Sequence, residues 1–149
     1  MLLTGSFFRA LDEKQRLSVP KPIREALGVP ERSVFYLAPG TDGSLALYTA
    51  ESFSKLADQL SQASPNGPEV RAFSRLFYAR AKAVQLDSQG RIRVPSDLVL
   101  LVSLSKEVVL LGVRDHVELW DKSRWEEYEA GKQGHYDEIA EKAFGAHGK

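Results

Sequence analysis

A ten-residue phrase occurs twice in this chain, and any fold it adopts has to accommodate both copies. Residues 11–20 read LDEKQRLSVP and residues 86–95 read LDSQGRIRVP. Asp12 and Asp87 stand 75 positions apart, and at that offset Leu, Asp, Arg, Val and Pro recur in register, with Leu17 matched to Ile92. Each copy reads as a polar turn, Asp-x-x-x-Arg, running into a short apolar strand that proline stops. A repeat of this kind points to two copies of one supersecondary unit.

The order of elements repeats as well. Thr4 to Leu11 is aromatic enough for a strand, and Leu17 and Val19 alternate with Ser18 as a short strand does. Pro22 suits an early helical position, Ile23, Ala26 and Leu27 give about two turns, and Gly28 closes them. Val34 to Ala38 and Leu45 to Tyr48 form a hairpin around Pro39-Gly40-Thr41-Asp42-Gly43. A strand follows these glycines where a phosphate loop needs a helix, so they read as a turn. Thr49 caps a helix with Phe53, Leu56, Ala57 and Leu60 on one face.

Ser64-Pro65-Asn66-Gly67-Pro68 reads as a linker. Beyond it, Val70, Phe73, Leu76 and Phe77 predict an amphipathic helix with Arg71, Arg75 and Arg80 as a solvated face or subunit contacts. A strand through Ala79 to Leu86 then leads into the second phrase. Pro95 opens a helix, Val108 to Val113 and Val117 to Trp120 form a hairpin around Arg114-Asp115, and Asp121 caps a helix bearing Trp125 and Tyr128. At an offset of 72, Leu45 matches Val117, Leu47 matches Leu119, Tyr48 matches Trp120 and Phe53 matches Trp125. These aromatics read as helix-packing residues. Glycines among charged residues past Tyr128 predict a frayed helix and a loose tail.

A half with about 50 core residues buries too little surface to stand alone comfortably. Two halves that lend strands to each other share one core and lose their exposed edges. The expected architecture is α+β, mainly β, with internal two-fold pseudo-symmetry. The units run over 1–64 (core about 5–50) and 65–130 (core about 80–123), with 131–149 as a C-terminal tail.

Zero net charge, from 20 basic and 20 acidic residues, hides an uneven distribution. Residues 1–25 hold five basic against three acidic residues, and residues 71–98 hold six against two. Residues 26–70 and 99–149 are acidic on balance. Positive charge gathers around the repeated phrases, as an anion-binding face requires. The absence of cysteine removes disulfides and thiolate metal sites, and His116, His135 and His147 lack ligand spacing. No cofactor is expected. No apolar run approaches the ~20 residues of a membrane span, and no signal peptide is expected at the N-terminus. An enzyme is not expected either: Glu126 and Glu127 are adjacent on a solvated helix, and no serine, histidine and acid fall at motif spacing.

Two copies of Asp-x-x-x-Arg with apolar strand and proline, together with Val117-Glu118-Leu119-Trp120-Asp121 and Trp125, resemble the MraZ family. That family lies within the AbrB-like (SpoVT-AbrB) swapped-hairpin DNA-binding group. The resemblance covers residues 1 to about 130. It implies two intertwined repeats in a double-split β-barrel with flanking helices. It also implies a cytoplasmic, nucleoid-associated bacterial transcriptional regulator that binds short direct repeats upstream of the division and cell-wall gene cluster. The implied partners are double-stranded DNA and further copies of the chain, in a ring of octamer or dodecamer size. An alternative is an antitoxin-like protein-interaction module of the same fold.

By position, DNA contact falls on Arg16 and Arg91, with Asp12 and Asp87 as turn partners. A guanidinium fork suits phosphate oxygens or the guanine edge. The residues alone allow a second reading, in which Asp and Arg only staple a tight turn. Lys14, Arg9, Lys21 and Arg93 are either backbone-phosphate contacts or solvated charges. The chain departs from the family in two places. Glycine is usual before the motif arginine; Gly90 fits, whereas Gln15 predicts a first loop of different shape, or a cost of roughly 1 kcal/mol for a left-handed residue. Leu98 to Val102 is apolar all round, which predicts cover on every side from core or subunit contact.

Overall fold

A computed structural model of the chain describes residues 1–30, 32–63 and 66–145. The first half runs β1 (Ser6–Ala10), β2 (Arg16–Ser18), α1 (Lys21–Leu27), β3 (Val34–Pro39), β4 (Leu45–Thr49) and α2 (Ala50–Gln62). The second half opens with α3 (Pro68–Arg80). It continues through β5 (Lys82–Gln85), β6 (Arg91–Arg93), α4 (Ser96–Leu101), β7 (Glu107–Val113), β8 (His116–Asp121) and α5 (Lys122–Gln133), and α6 (Tyr136–Gly145) follows. The architecture is α+β, with a six-stranded antiparallel sheet and, among the described residues, six helices.

The sheet order β1-β7-β8-β4-β3-β5 reads the same backwards when the halves are exchanged. The first strand of each half pairs with the other half's hairpin: Phe8 lies opposite Val109, and Ala83 opposite Tyr36. The hairpins meet at β4 and β8, where Ala46 pairs with Glu118, residues that the 72-residue offset makes equivalent. A separate ribbon joins β2 to β6, and its central pair is Leu17 with Ile92, equivalent at the 75-residue offset. A two-fold pseudo-axis therefore passes through both pairs.

Alternation along the ribbon puts Leu17 and Ile92 on the inner face, where both are fully buried. They join Val19, Ile23, Val94, Leu98, Leu110 and Leu119 in one cluster drawn from both halves. Complete burial of such side chains contributes about 1.5–3 kcal/mol each. That shared cluster makes the halves interdependent.

Local signals place the helices. Pro22 sits in the first turn of α1, and Gly28 ends it at φ 61°. Thr49 Oγ1 accepts the Ser52 N–H at 3.0 Å to start α2. The return-strand aromatics hold the following helices at equivalent places, Tyr48 on Phe53 at 5.7 Å and Trp120 on Trp125 at 5.4 Å. Phe53 also stacks on Phe77, which docks α3 against α2.

Several elements differ from expectation. Ala79 and Arg80 belong to α3, not to a strand, because the Ala81 N–H still reaches Phe77 O at 3.1 Å. Residues 64 and 65 of the expected linker lie outside the described residues, while Gly67 and Pro68 start α3. Asp121 precedes α5 but makes no backbone cap. Its carboxylate accepts from Ser105 N and Oγ at 2.9 and 2.6 Å and from Ser123 Oγ at 2.7 Å, tying the turn between α4 and β7 to the start of α5. Within the single chain, core covers one side of the apolar segment 98–102: Leu98 and Val102 are buried, while Leu100 is 78% exposed. A six-residue helix turns a single face to the core. Residues 136–145 are helical where a loose tail was expected, with Asp137 and Glu138 in the first turn and Lys142 in the last complementing the helix dipole.

Candidate functional site

The two Asp-x-x-x-Arg segments fold into the same loop. In the first, Asp12 Oδ1 accepts the backbone N–H groups of Lys14 at 2.9 Å and Arg16 at 2.8 Å, and Oδ2 accepts Arg16 Nε–H at 2.7 Å. In the second, Asp87 Oδ1 accepts from Gln89 and Arg91 N–H at 2.8 and 2.9 Å, and Oδ2 from Arg91 Nε–H at 2.9 Å. The backbones close alike. Asp12 N donates to Arg16 O and Gln15 N to Asp12 O, as Asp87 N does to Arg91 O and Gly90 N to Asp87 O. A short carboxylate in this position mimics a turn of backbone, and the spacing of four lets it reach the arginine too.

Those bonds set the charge state of the loops. The Arg16 N–H, seconded by the Arg16 guanidinium, holds the Asp12 carboxyl below the usual carboxylate range. The Arg91 N–H and guanidinium act in the same way on Asp87. Each arginine spends Nε on its aspartate, and among the described residues its terminal nitrogens have no hydrogen-bond partner. The tether holds the guanidinium in place with two donor nitrogens to spare.

Gln15 and Gly90 both sit in left-handed backbone, at φ 62° and 74°. The expectation of a differently shaped first loop is therefore corrected. Gln15 accepts the strained conformation, and its side-chain Oε1 takes a 2.9 Å hydrogen bond from Ser96 Oγ of the other half. The loops also grip one another: Val19 N donates to Gly90 O at 2.9 Å and Val94 N to Gln15 O at 2.8 Å.

With Leu17 and Ile92 turned inward, Arg16, Arg91 and Arg93 share the outer face of the ribbon, Arg16 directly opposite Arg93. Like charges so placed repel and favour an anion between them. Arg93 Nε donates to Lys14 O at 3.0 Å, which brings Lys14 and Arg93 into the cluster. Arg9 and Lys21 stand apart. Arg9 donates to Phe8 O and lies over the Phe7 ring, and Lys21 faces Glu25 at 3.9 Å. Among the described residues, no hydrogen bond or ion pair ties either to a loop. Sequence reasoning missed Arg24, whose guanidinium crosses Gly90; nothing local in the sequence signals a contact between residues 66 positions apart.

The fold and this site define a tandem-repeat α+β protein that presents two matched Asp-x-x-x-Arg loops side by side. A family model described as "MraZ protein, putative antitoxin-like" matches residues 2–76 and again 77–146. Proteins named Transcriptional regulator MraZ align over nearly the whole chain. That of Alkaliphilus oremlandii is 38% identical over 95% of this chain and 96% of its own length. That of Lactiplantibacillus plantarum is 37% identical over 92% and 94%, and that of Finegoldia magna 31% over 94% and 95%. The chain belongs to the MraZ family, whose members are transcriptional regulators and not enzymes.

Proposed function

We propose that this transcriptional regulator binds double-stranded DNA through the outer face of the β2–β6 ribbon, with Arg16 and Arg91 as principal contacts. The observation that carries the reading is the arrangement of three outward guanidiniums on one two-stranded face, two of them pre-oriented by Asp12 and Asp87. Lys14 and Arg93 serve as phosphate contacts that position the protein, and Arg9 and Lys21 extend the same role to the flanks. Two intertwined swapped-hairpin repeats, 1–64 and 65–130, close a double-split barrel, and 131–149 is an appended segment. The target is a set of short direct repeats upstream of the division and cell-wall gene cluster, met by a homo-oligomeric ring in the bacterial cytoplasm at the nucleoid.

Ring assembly matters energetically because a few phosphate contacts per chain give only modest, salt-sensitive affinity. Several loops meeting several DNA repeats raise the effective affinity by orders of magnitude without a new kind of contact. An obligate monomer, verified by sedimentation, that bound the repeats as tightly as the wild type would refute this part. Among the described residues no helix is long and apolar enough to cross a membrane. The antitoxin-like reading draws support from the wording of the family description, and capture of a stoichiometric protein partner would favour it.

The test is binding to the upstream DNA by Arg16→Ala and Arg91→Ala, made separately and titrated across salt. Each lost phosphate contact is expected to flatten the plot of log affinity against log salt by about 0.9. If both variants bind like wild type with an unchanged slope, the loops do not contact DNA.

A further inference from the structure

The two loops have the same hydrogen bonds inside them but different supports behind them. Gly90 is buried, and its backbone faces the flat guanidinium of Arg24 from α1. A Cβ at Gly90 would lie 2.9 Å from Arg24 Cζ, closer than real Cβ atoms come, and 3.0 Å from Nε, so a side chain there would have to push the flexible end of Arg24 aside. Arg24 Nε meanwhile donates to Val19 O at 3.0 Å. Val19 is the residue whose own N–H donates to Gly90 O. Arg24 thus closes a small circuit: helix α1 to the Val19 carbonyl, the Val19 amide to the Gly90 carbonyl, and the guanidinium plane back onto the Gly90 backbone.

The first loop has no such circuit, although Arg93 Nε of the other half donates directly to Lys14 O within it at 3.0 Å. At the 75-residue offset, the position of Arg24 in the second half is Val99, half buried against the core and unable to donate. Gln15 is held through its side chain by Ser96 instead. Charge alone does not account for the placement of Arg24. It is an exposed residue with no carboxylate partner among the described residues, yet its guanidinium lies along backbone when it could extend into water. Beside it an open cleft of about 440 Å³ runs past Arg32, Asp87 and Ser88.

We infer that Arg24 is a positioning residue for the second loop: it fixes the Gly90 peptide, and through it the direction in which Asp87 presents Arg91. The inference rests on the reading of Arg91 as a DNA contact. Glycine at position 90 leaves the guanidinium the space that a side chain would otherwise take. Arg24 also restrains the second loop before DNA arrives. A rigid loop loses less conformational freedom on binding and favours one contact geometry.

The experiment compares full-length wild type, Arg24→Ala, Arg24→Lys and Arg91→Ala in binding the upstream DNA across a range of salt, with hydrogen exchange on the free proteins. For Arg24→Ala we expect affinity to fall severalfold, because the loosened loop must be re-ordered on binding, and by no more than about tenfold, the worth of the hydrogen bond that held it, with the salt slope unchanged. Exchange should quicken in residues 86–92 and stay as in wild type in residues 11–17. Arg24→Lys keeps the charge and loses the planar brace, so it should remain as impaired as Arg24→Ala. A salt slope flattened by about 0.9 in Arg24→Ala would make Arg24 a phosphate contact and overturn the inference. Full recovery by lysine, or equal exchange in both loops, would overturn it as well. Arg91→Ala separates the two levels. If it binds like wild type, the reading of the loop fails; if it loses binding while Arg24→Ala does not, only the brace fails.

Discussion

The loop at 12–16 and the loop at 87–91 make the same hydrogen bonds within themselves, down to the two backbone amides shared by one carboxylate oxygen. Their surroundings differ. The first reaches its left-handed turn with glutamine and takes hydrogen bonds from Ser96 and Arg93 of the other half; the second uses glycine and lies under Arg24 of the other half. Bonds closed inside a five-residue segment depend only on that segment, so a repeated phrase reproduces them. Support from outside depends on neighbours that the phrase does not contain, and there the halves diverge. Two loops alike in shape can therefore differ in stiffness and in tolerance to substitution.

The largest effects are expected where the halves are most alike. Leu17 and Ile92 form the central pair of the ribbon and are fully buried from equivalent positions. Leu17→Ala and Ile92→Ala should each destabilise the chain by about 3 kcal/mol in urea unfolding, as large-to-small changes in a shared core do. A loss below about 1 kcal/mol for one of them would mean that the pseudo-axis does not mark an energetically symmetric core. Unequal losses of ordinary size would instead sharpen the comparison, by showing which side collapses onto its cavity.

The loop turns should show the reverse, a clear asymmetry. Gly90→Ala meets left-handed backbone, worth about 1–2 kcal/mol, and adds a smaller cost for moving the flexible end of Arg24 aside. Gln15→Gly relieves backbone strain but gives up the Ser96 bond and adds freedom to the unfolded chain, so thermal unfolding should place it within about 0.5 kcal/mol of wild type. Equal costs at the two positions would break the claim that the loops are held differently.

These contrasts also mark what the amino-acid order disclosed. Strand periodicity, the capping Thr49, Gly28 and the two repeat offsets were enough to anticipate the hairpins, the matched aromatics and the exchange of strands between halves. They are local or self-comparing signals. Three features escaped them. The identity of Gln15 argued against a left-handed turn, and the other bonds of the loop overrode that preference. The composition past Tyr128 suggested fraying, although Tyr136, Ile139 and Phe144 have helical spacing and α6 forms with these residues largely exposed. Arg24 entered only as one of five positive charges, because its contact with Gly90 exists only once the halves are interleaved. At the candidate site the carboxylate–arginine tethers could be read from spacing, whereas the face they share could not be read without the β2–β6 register.

The hairpin turns extend the comparison to titration, with a smaller effect. Ser44 immediately precedes β4 and donates from Oγ to Thr41 O at 2.7 Å, an uncharged closure. At the equivalent position β8 opens with His116, 3.5 Å from Glu118 and 2.9 Å from Asp115, its ring against Tyr48 at 5.3 Å. Glu118 first, and then Asp115, raise the affinity of His116 for its proton despite partial burial. A group whose folded pKa is raised contributes stability that is fully present below its unfolded value, about 6.5, and lost as pH rises through the folded value. The neighbouring groups titrate elsewhere. The hydrogen bond from His116 holds Glu118 below its usual range; Asp115 ends below its own despite desolvation; and Tyr48 is pushed up to about 12. Arg114 faces Asp115 at 3.3 Å. Wild type should therefore lose a fraction of a kcal/mol as pH rises above about 6.5, the modest size reflecting a partly solvated cluster. His116→Gln should give a flat profile over the same window in chemical unfolding. Coincident slopes for the two proteins would show that the second hairpin is as indifferent to pH as the first, and the asymmetry would then be confined to the loops.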